Sequence, residues 1–164
     1  MNGDTGQTQR DDHAREGDLR RFARALLGAT APKTADALAH DAVARLSGAE
    51  QNAEDVAERA FAELVRLNRR RLKSHAAPAD AARERPATEY DRREGLPALI
   101  ASMPLDERET LLIVTLAGFS YEAAGRILDL PYSTVMSRLM RARARLDAAR
   151  AAPTPRIGHL RLVK

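Results

Sequence analysis

The residues best suited to chemistry in this chain are a run of short hydroxyls and guanidiniums: Ser133, Thr134, Ser137, Arg138, Arg141, Arg143 and Arg145. Read as a helix at roughly 100° per residue, Ser133, Thr134, Ser137 and Arg141 fall on one side, flanked by Arg138 and Arg145. Val135, Leu139, Ala142 and Leu146 gather on the other. A hydroxyl-and-guanidinium face suits a helix lying in the major groove of DNA, with its N-terminal residues reaching base edges. Arginine pairs bidentately with guanine, at about 1–3 kcal/mol of discrimination, so Arg138 is expected to read bases. Arg143 and Arg145 are expected to meet phosphates, which position without specifying. The same pattern fits an amphipathic hairpin with an ordinary solvated basic face, and spacing alone leaves both readings open. A second basic cluster, Arg66, Arg69, Arg70, Arg71 and Lys73, ends an earlier helical stretch. There it suits a polyanion, or simply complements the helix macrodipole.

The elements that must hold the first cluster read as a helix-turn-helix. Ser120 can cap a helix ending near Asp129, and the Leu130-Pro131 step forces a break, because a residue before proline avoids the helical region. Ser133 can cap the second helix. Ala124 and Gly125 are small where the two helices approach, and Leu128, Leu130 and Val135 would fill the gap. Just upstream, Leu96, Leu99, Ile100 and Met103 have helical spacing. Pro104 opens a further helix that Gly118 breaks, and Asp106, Glu107 and Glu109 complement its N-terminal dipole.

Three earlier helices precede these. Leu19, Phe22, Ala23, Leu26 and Leu27 share one face, and Gly28 stops that helix. Thr34 can cap a second, whose apolar face is Ala35, Leu38, Ala39, Ala42, Val43 and Leu46. A third, from about residue 53, buries Val56, Ala60, Phe61, Leu64 and Leu67. No alternating strand pattern occurs, so the fold class is all-α. Aromatics make up 4% of the chain and tryptophan is absent, which favours two small Leu/Ala-packed units over one large core. The expected organisation is a disordered tail (1–17), a helical domain (18–74), a flexible Pro- and charge-rich linker (75–94), a helix-turn-helix domain (95–150) and a C-terminal tail (151–164).

Composition excludes several classes. With no cysteine there are no disulfides, thiolate metal sites or cysteine nucleophiles, which is compatible with a reducing cytoplasm. The N-terminal residues contain no apolar stretch, so neither a signal peptide nor an anchor is expected there. No apolar run approaches the ~18 residues of a membrane span. The four histidines lack metal-ligand spacing, and no catalytic carboxylate pair stands out, so neither an enzyme nor a cofactor is expected.

The stretch LPALIASMPLDERETLLIVTLAGFSYEAAGRILDLPYSTVMSRLMRARARL resembles region 4 of the extracytoplasmic-function sigma factors. The pattern falls on Pro104-Leu105, Glu107-Arg108-Glu109, Gly118 to Glu122, and Thr134 to Arg143. Upstream, LRRFARALLG and residues 35–41 resemble region 2 of the same family, with Phe61 and Asn68 standing for a Trp and an Asn. Departures are Ala37 for an acid, His40 for Gln, Leu72 for an acid, Asp129 for Gly and Met136 for Lys. The resemblance implies a transcription initiation factor without catalytic activity or cofactor. Region 4 would bind the −35 promoter element through Ser133, Thr134, Ser137, Arg138, Arg141, Arg143 and Arg145, and would bind the β flap of RNA polymerase. Region 2 would dock on the β′ clamp helices through Asp36, His40 and Asp41, and face the −10 element with Phe61, Asn68, Arg69 and Arg70. Phe61 reads more readily as a core residue than as a base-facing one. The resemblance also implies an anti-sigma factor as regulator. Its alternative is a sigma mimic, which sequesters an anti-sigma factor without initiating transcription.

Overall fold

The computed structural model describes residues 4–28, 31–46, 53–75 and 95–151. Seven helices run in the order α1 (Asp4–Leu27), α2 (Pro32–Ala44), α3 (Ala53–His75), α4 (Leu96–Ser102), α5 (Leu105–Thr115), α6 (Tyr121–Leu128) and α7 (Tyr132–Ala151). Among the described residues there is no strand, as the all-α reading requires. Most of the expected linker, residues 76–94, and most of the C-terminal tail, residues 152–164, lie outside the described residues.

The apolar stripes read from periodicity are the buried ones. Leu19, Phe22, Ala23 and Leu26 of α1, Ala35, Ala39 and Ala42 of α2, and Ala60, Phe61 and Leu64 of α3 enter one cluster. The helix starts differ from expectation. Helix α1 begins at Asp4, inside the stretch read as a tail, because extending an existing helix costs far less than nucleating one. Glu16–Arg20 and Asp18–Arg21 pairs one turn apart support it. Helix α2 begins at Pro32 with Ala31 as its N-cap residue, so Thr34 lies inside the first turn and caps nothing. Proline's fixed φ suits that first turn, and its missing N–H has no partner to lose there.

How the two helical units sit together is not legible in the sequence, and in the structure they share one core. Leu112 and Ile113 of α5, Ala124, Ile127 and Leu128 of α6, and Val135 of α7 belong to the same buried cluster as α1–α3. The three phenylalanines join the halves. Phe61 of α3 packs edge-on to Phe22 of α1, with ring centroids 5.1 Å apart, and to Phe119 before α6, at 5.0 Å. Each such pair contributes about 0.5–1.5 kcal/mol beyond its area.

Arg108 adds a polar clip. Its Nη1 donates to Leu26 O at the end of α1 (2.9 Å), and its Nη2 to Met103 O (2.7 Å) and to Ala101 O at the end of α4. One guanidinium thereby satisfies carbonyls that two helix ends leave without intrahelical partners. Burial pushes its pKa down from the usual arginine value, with the nearby Glu109 charge opposing.

Candidate nucleic-acid interface

The helix-turn-helix forms as its residues dictate. Ser120 caps α6, its Oγ accepting from Ala123 N at 3.1 Å. Asp129 closes α6 in the left-handed region, at φ 57° and ψ 55°, a conformation that short polar side chains such as Asp and Asn tolerate better than most. Leu130 N then donates to Gly125 O at 2.9 Å, which brings the turn hard against α6. A Cβ on Gly125 would sit 2.9 Å from the Leu130 carbonyl oxygen. Gly125→Ala is therefore expected to destabilise the protein by about 1–3 kcal/mol in urea unfolding, the usual cost of overpacking. An unchanged midpoint would contradict this contact. The Pro131 carbonyl accepts from Thr134 N and Val135 N at 3.0 and 3.1 Å. Helix α7 thus starts at Tyr132, and Ser133 sits in its first turn rather than at the cap position.

Val135, Leu139 and Ala142 are the buried face of α7. Ser133, Ser137, Arg141 and Arg143 are exposed, with Tyr132 and Met140, 50% and 65% exposed, beside them. Thr134 is half-buried, and its carbonyl accepts from Ser137 Oγ at 3.0 Å. The flanking arginines are tied to α5. Arg138 Nε lies 3.4 Å from Asp106 Oδ2, and its side chain is only 19% exposed. Arg141 Nε and Arg145 Nε donate to the two oxygens of Glu107, at 3.1 and 2.7 Å. Arg138, expected from the sequence to read bases, is thus turned toward α5 in this arrangement. At two-fifths of a turn from Ser133 it leans toward α5, where Asp106 meets it. Asp106 and Glu107, read from sequence as dipole partners, have these specific side-chain partners instead.

The region 2 candidates divide. Asp36, His40 and Asp41 stand on the side of α2 away from its buried alanines. Asp36 accepts two hydrogen bonds from Arg24, at 2.9 Å each, which hold its carboxyl below the usual aspartate range. His40 Nδ1 is 3.8 Å from Glu16 Oε1. Phe61 and Asn68 are not on a surface: they are 4% and 1% exposed, Phe61 between two rings and Asn68 accepting from Arg71 Nη2 at 3.3 Å. The side of α3 read as facing the −10 element is turned in part toward α5 and α6. Arg69 is likewise engaged, donating Nε and Nη2 to Glu109, with the shortest contact 2.6 Å. Arg70 remains exposed.

Two acid–base pairs missed by sequence reading tie the halves together. One is Arg69–Glu109. Glu109 is 1% exposed, and burial pushes its carboxyl above the usual glutamate range against the pull of Arg69. The other joins Glu58 of α3 to Arg126 of α6, with Nε to Oε2 at 2.8 Å, and hydrogen bonding to Arg126 holds Glu58 below its usual range. A depressed folded-state pKa contributes stability above the unfolded pKa that is lost as pH falls through the folded one. Glu58→Gln is accordingly expected to cost about 1 kcal/mol at neutral pH, modest because Arg126 is largely solvated. The deficit should shrink as pH falls below the usual glutamate range and through the lowered folded-state pKa, as urea unfolding across pH would register. A deficit that did not shrink on acidification would mean the charge is not its source. Both pairs span dozens of residues, so no local spacing announced them.

No helix among the described residues is long and apolar enough to cross a membrane. Nor, among them, does any group of three or more His, Asp or Glu side chains stand ready to hold a metal ion.

Comparison with known proteins agrees with this geometry. The family Sigma-70, region 4 matches residues 93–146. Over 51 residues the chain is 43% identical to the ECF RNA polymerase sigma factor EcfG of Rhodopseudomonas palustris (strain TIE-1). That match covers 31% of this chain and 28% of the relative's length. The solved sigma factor RpoE of Bartonella quintana, in complex with the anti-sigma factor NepR, shares the fold with a TM-score of 0.60. It is 21% identical, and the likeness covers 87% of this chain and 96% of that one. Residues 93–146 thus match the family Sigma-70, region 4, and over 51 residues the chain is similar to an extracytoplasmic-function sigma factor.

Proposed function

We propose that this protein is a sigma factor that carries RNA polymerase to particular promoters in the cytoplasm, acting by binding rather than catalysis. The observation that carries the reading is the outward face of α7. Ser133, Ser137, Arg141 and Arg143 are presented to solvent by a tightly closed helix-turn-helix within the matched region 4. Short hydroxyls and guanidiniums on that face suit base edges and phosphates of a −35 element. Region 4 would also meet the β flap, and the half-buried Asp36 with the exposed His40 and Asp41 on α2 would meet the β′ clamp helices. An anti-sigma factor is a fitting regulator, since the solved relative is held by one.

The packed arrangement bears on how such a factor would work. Promoter elements near −35 and −10 are separated by roughly 25 base pairs, about 85 Å at 3.4 Å per step. A compact chain of this length is roughly 30–40 Å across. The halves must therefore separate before both elements can be held, breaking the Phe61–Phe119, Glu58–Arg126 and Arg69–Glu109 contacts. Run-off transcription with core polymerase on genomic promoter fragments tests the reading, with promoter-specific transcripts expected. The burial of Phe61 and Asn68 favours one alternative, a mimic that only sequesters an anti-sigma factor. Capture of such a partner with no transcript on any fragment would establish it instead.

A further inference from the structure

The first turn of α5 presents two adjacent carboxylates to α7, and one of them is buried. Glu107 is 3% exposed, yet both its oxygens are used: Oε1 by Arg141 Nε at 3.1 Å and Oε2 by Arg145 Nε at 2.7 Å. The two arginines are four residues apart, one turn along the same edge of α7, where like charges repel. A single carboxylate between them offsets that repulsion and gives each stem one direction. Each arginine is gripped at Nε, the nitrogen nearest its stem, while the Arg141 and Arg145 side chains stay 56% and 37% exposed. Asp106 next door holds Arg138 in the same manner, at 3.4 Å. Three guanidiniums against two carboxylates leave this edge of the helix with a net charge of one, where the bare sequence of α7 advertises three.

We propose that Glu107 is a positioning residue for DNA recognition: it fixes the reach of Arg141 and Arg145 and exchanges indiscriminate attraction to phosphates for sequence discrimination. This rests on the reading that α7 enters DNA. A long, mobile arginine finds some phosphate on any duplex. One fixed by its stem meets only the oxygen or base edge that the docked geometry offers. The carboxylate meanwhile repels a backbone that approaches out of register, so specificity comes from a penalty on wrong partners as well as a gain on the right one.

The test uses the full chain and duplexes enriched by the wild-type protein from a randomised pool, compared with scrambled duplexes at several salt concentrations. Glu107→Gln keeps the shape and one carbonyl oxygen but removes the charge. It is expected to tighten binding to scrambled DNA several-fold and to lower the ratio of specific to scrambled affinity about tenfold. The salt dependence should steepen by about one in log–log slope, as one more cation becomes available to phosphate. Arg141→Gln should weaken binding by itself, and adding Glu107→Gln to it should then have a much smaller effect on the ratio. A purely structural role for Glu107 predicts something else, an equal loss on both duplexes with no change in slope, and that result overturns the proposal. So does an unchanged ratio. A wild-type chain that enriches no sequence overturns the DNA-binding reading itself, and the role of Glu107 with it.

Discussion

Phe61→Ala is expected to lower the unfolding free energy by about 3–5 kcal/mol, the range for emptying a buried phenylalanine site. The size follows from where the ring lies. Phe61 stands edge-on to Phe22 on one side and Phe119 on the other, at 5.1 and 5.0 Å, and is 4% exposed. Truncation leaves a cavity at the junction of the halves and removes both aromatic contacts at once. Neighbouring core positions on α1 and α2 include several alanines, which have no spare bulk to fill the hole. Phe61→Leu retains much of the volume and should cost far less, on the order of 1–1.5 kcal/mol. Urea unfolding followed by far-UV circular dichroism reads both values. If the alanine variant lost under about 1 kcal/mol, the three rings would not be sharing a core.

Arg69→Ala is expected to cost about 3 kcal/mol at neutral pH, the low end for breaking a buried ion pair by removing one partner. The low end applies because the Arg69 side chain is 37% exposed and gives up less solvation than a fully buried cation. The larger effect is on what remains. Glu109, 1% exposed, would stay buried without the bidentate donor that now balances its charge. Burial already pushes its carboxyl above the ordinary value, and removing Arg69 takes away the largest opposing influence. A carboxyl whose folded-state pKa exceeds its unfolded one favours the folded state below the unfolded pKa. That contribution is lost as pH rises through the folded pKa. The variant's deficit should therefore be largest at neutral and alkaline pH and shrink as the solution becomes mildly acidic. Arg69→Lys keeps a charge but not the two-pronged geometry, and should fall between the two. Measuring stability from pH 7.5 to 5 decides the matter. A deficit independent of pH would assign the loss to packing rather than to a stranded carboxylate.

These variants act on contacts that the proposed function requires to be broken. Weakening the junction without unfolding either half should make the open arrangement more accessible. That makes Phe61→Leu and Glu58→Gln useful companions in transcription assays.

What the sequence determined by itself was local. The stripes of α1, α2 and α3, the Ser120 cap, the stop at Gly28 and the turn at Leu130-Pro131 all follow from residue types at fixed short spacings. The helix-turn-helix was legible for the same reason, and so was the polar face of α7. The starts of α1, α2 and α7 were missed because a polar extension or a proline in the first turn leaves no apolar signature. Tertiary structure alone decided the rest. Periodicity says which side of a helix is buried but not which helix covers it. Phe22, Phe61 and Phe119 therefore could not be seen to meet, nor Asn68 to lie inside. Charge has no period at all. Whether an arginine faces water, a phosphate or a carboxylate depends on which distant acid the fold delivers to it. Arg69 found Glu109, and Arg141 and Arg145 found Glu107, only once α5 had been packed between α1 and α7.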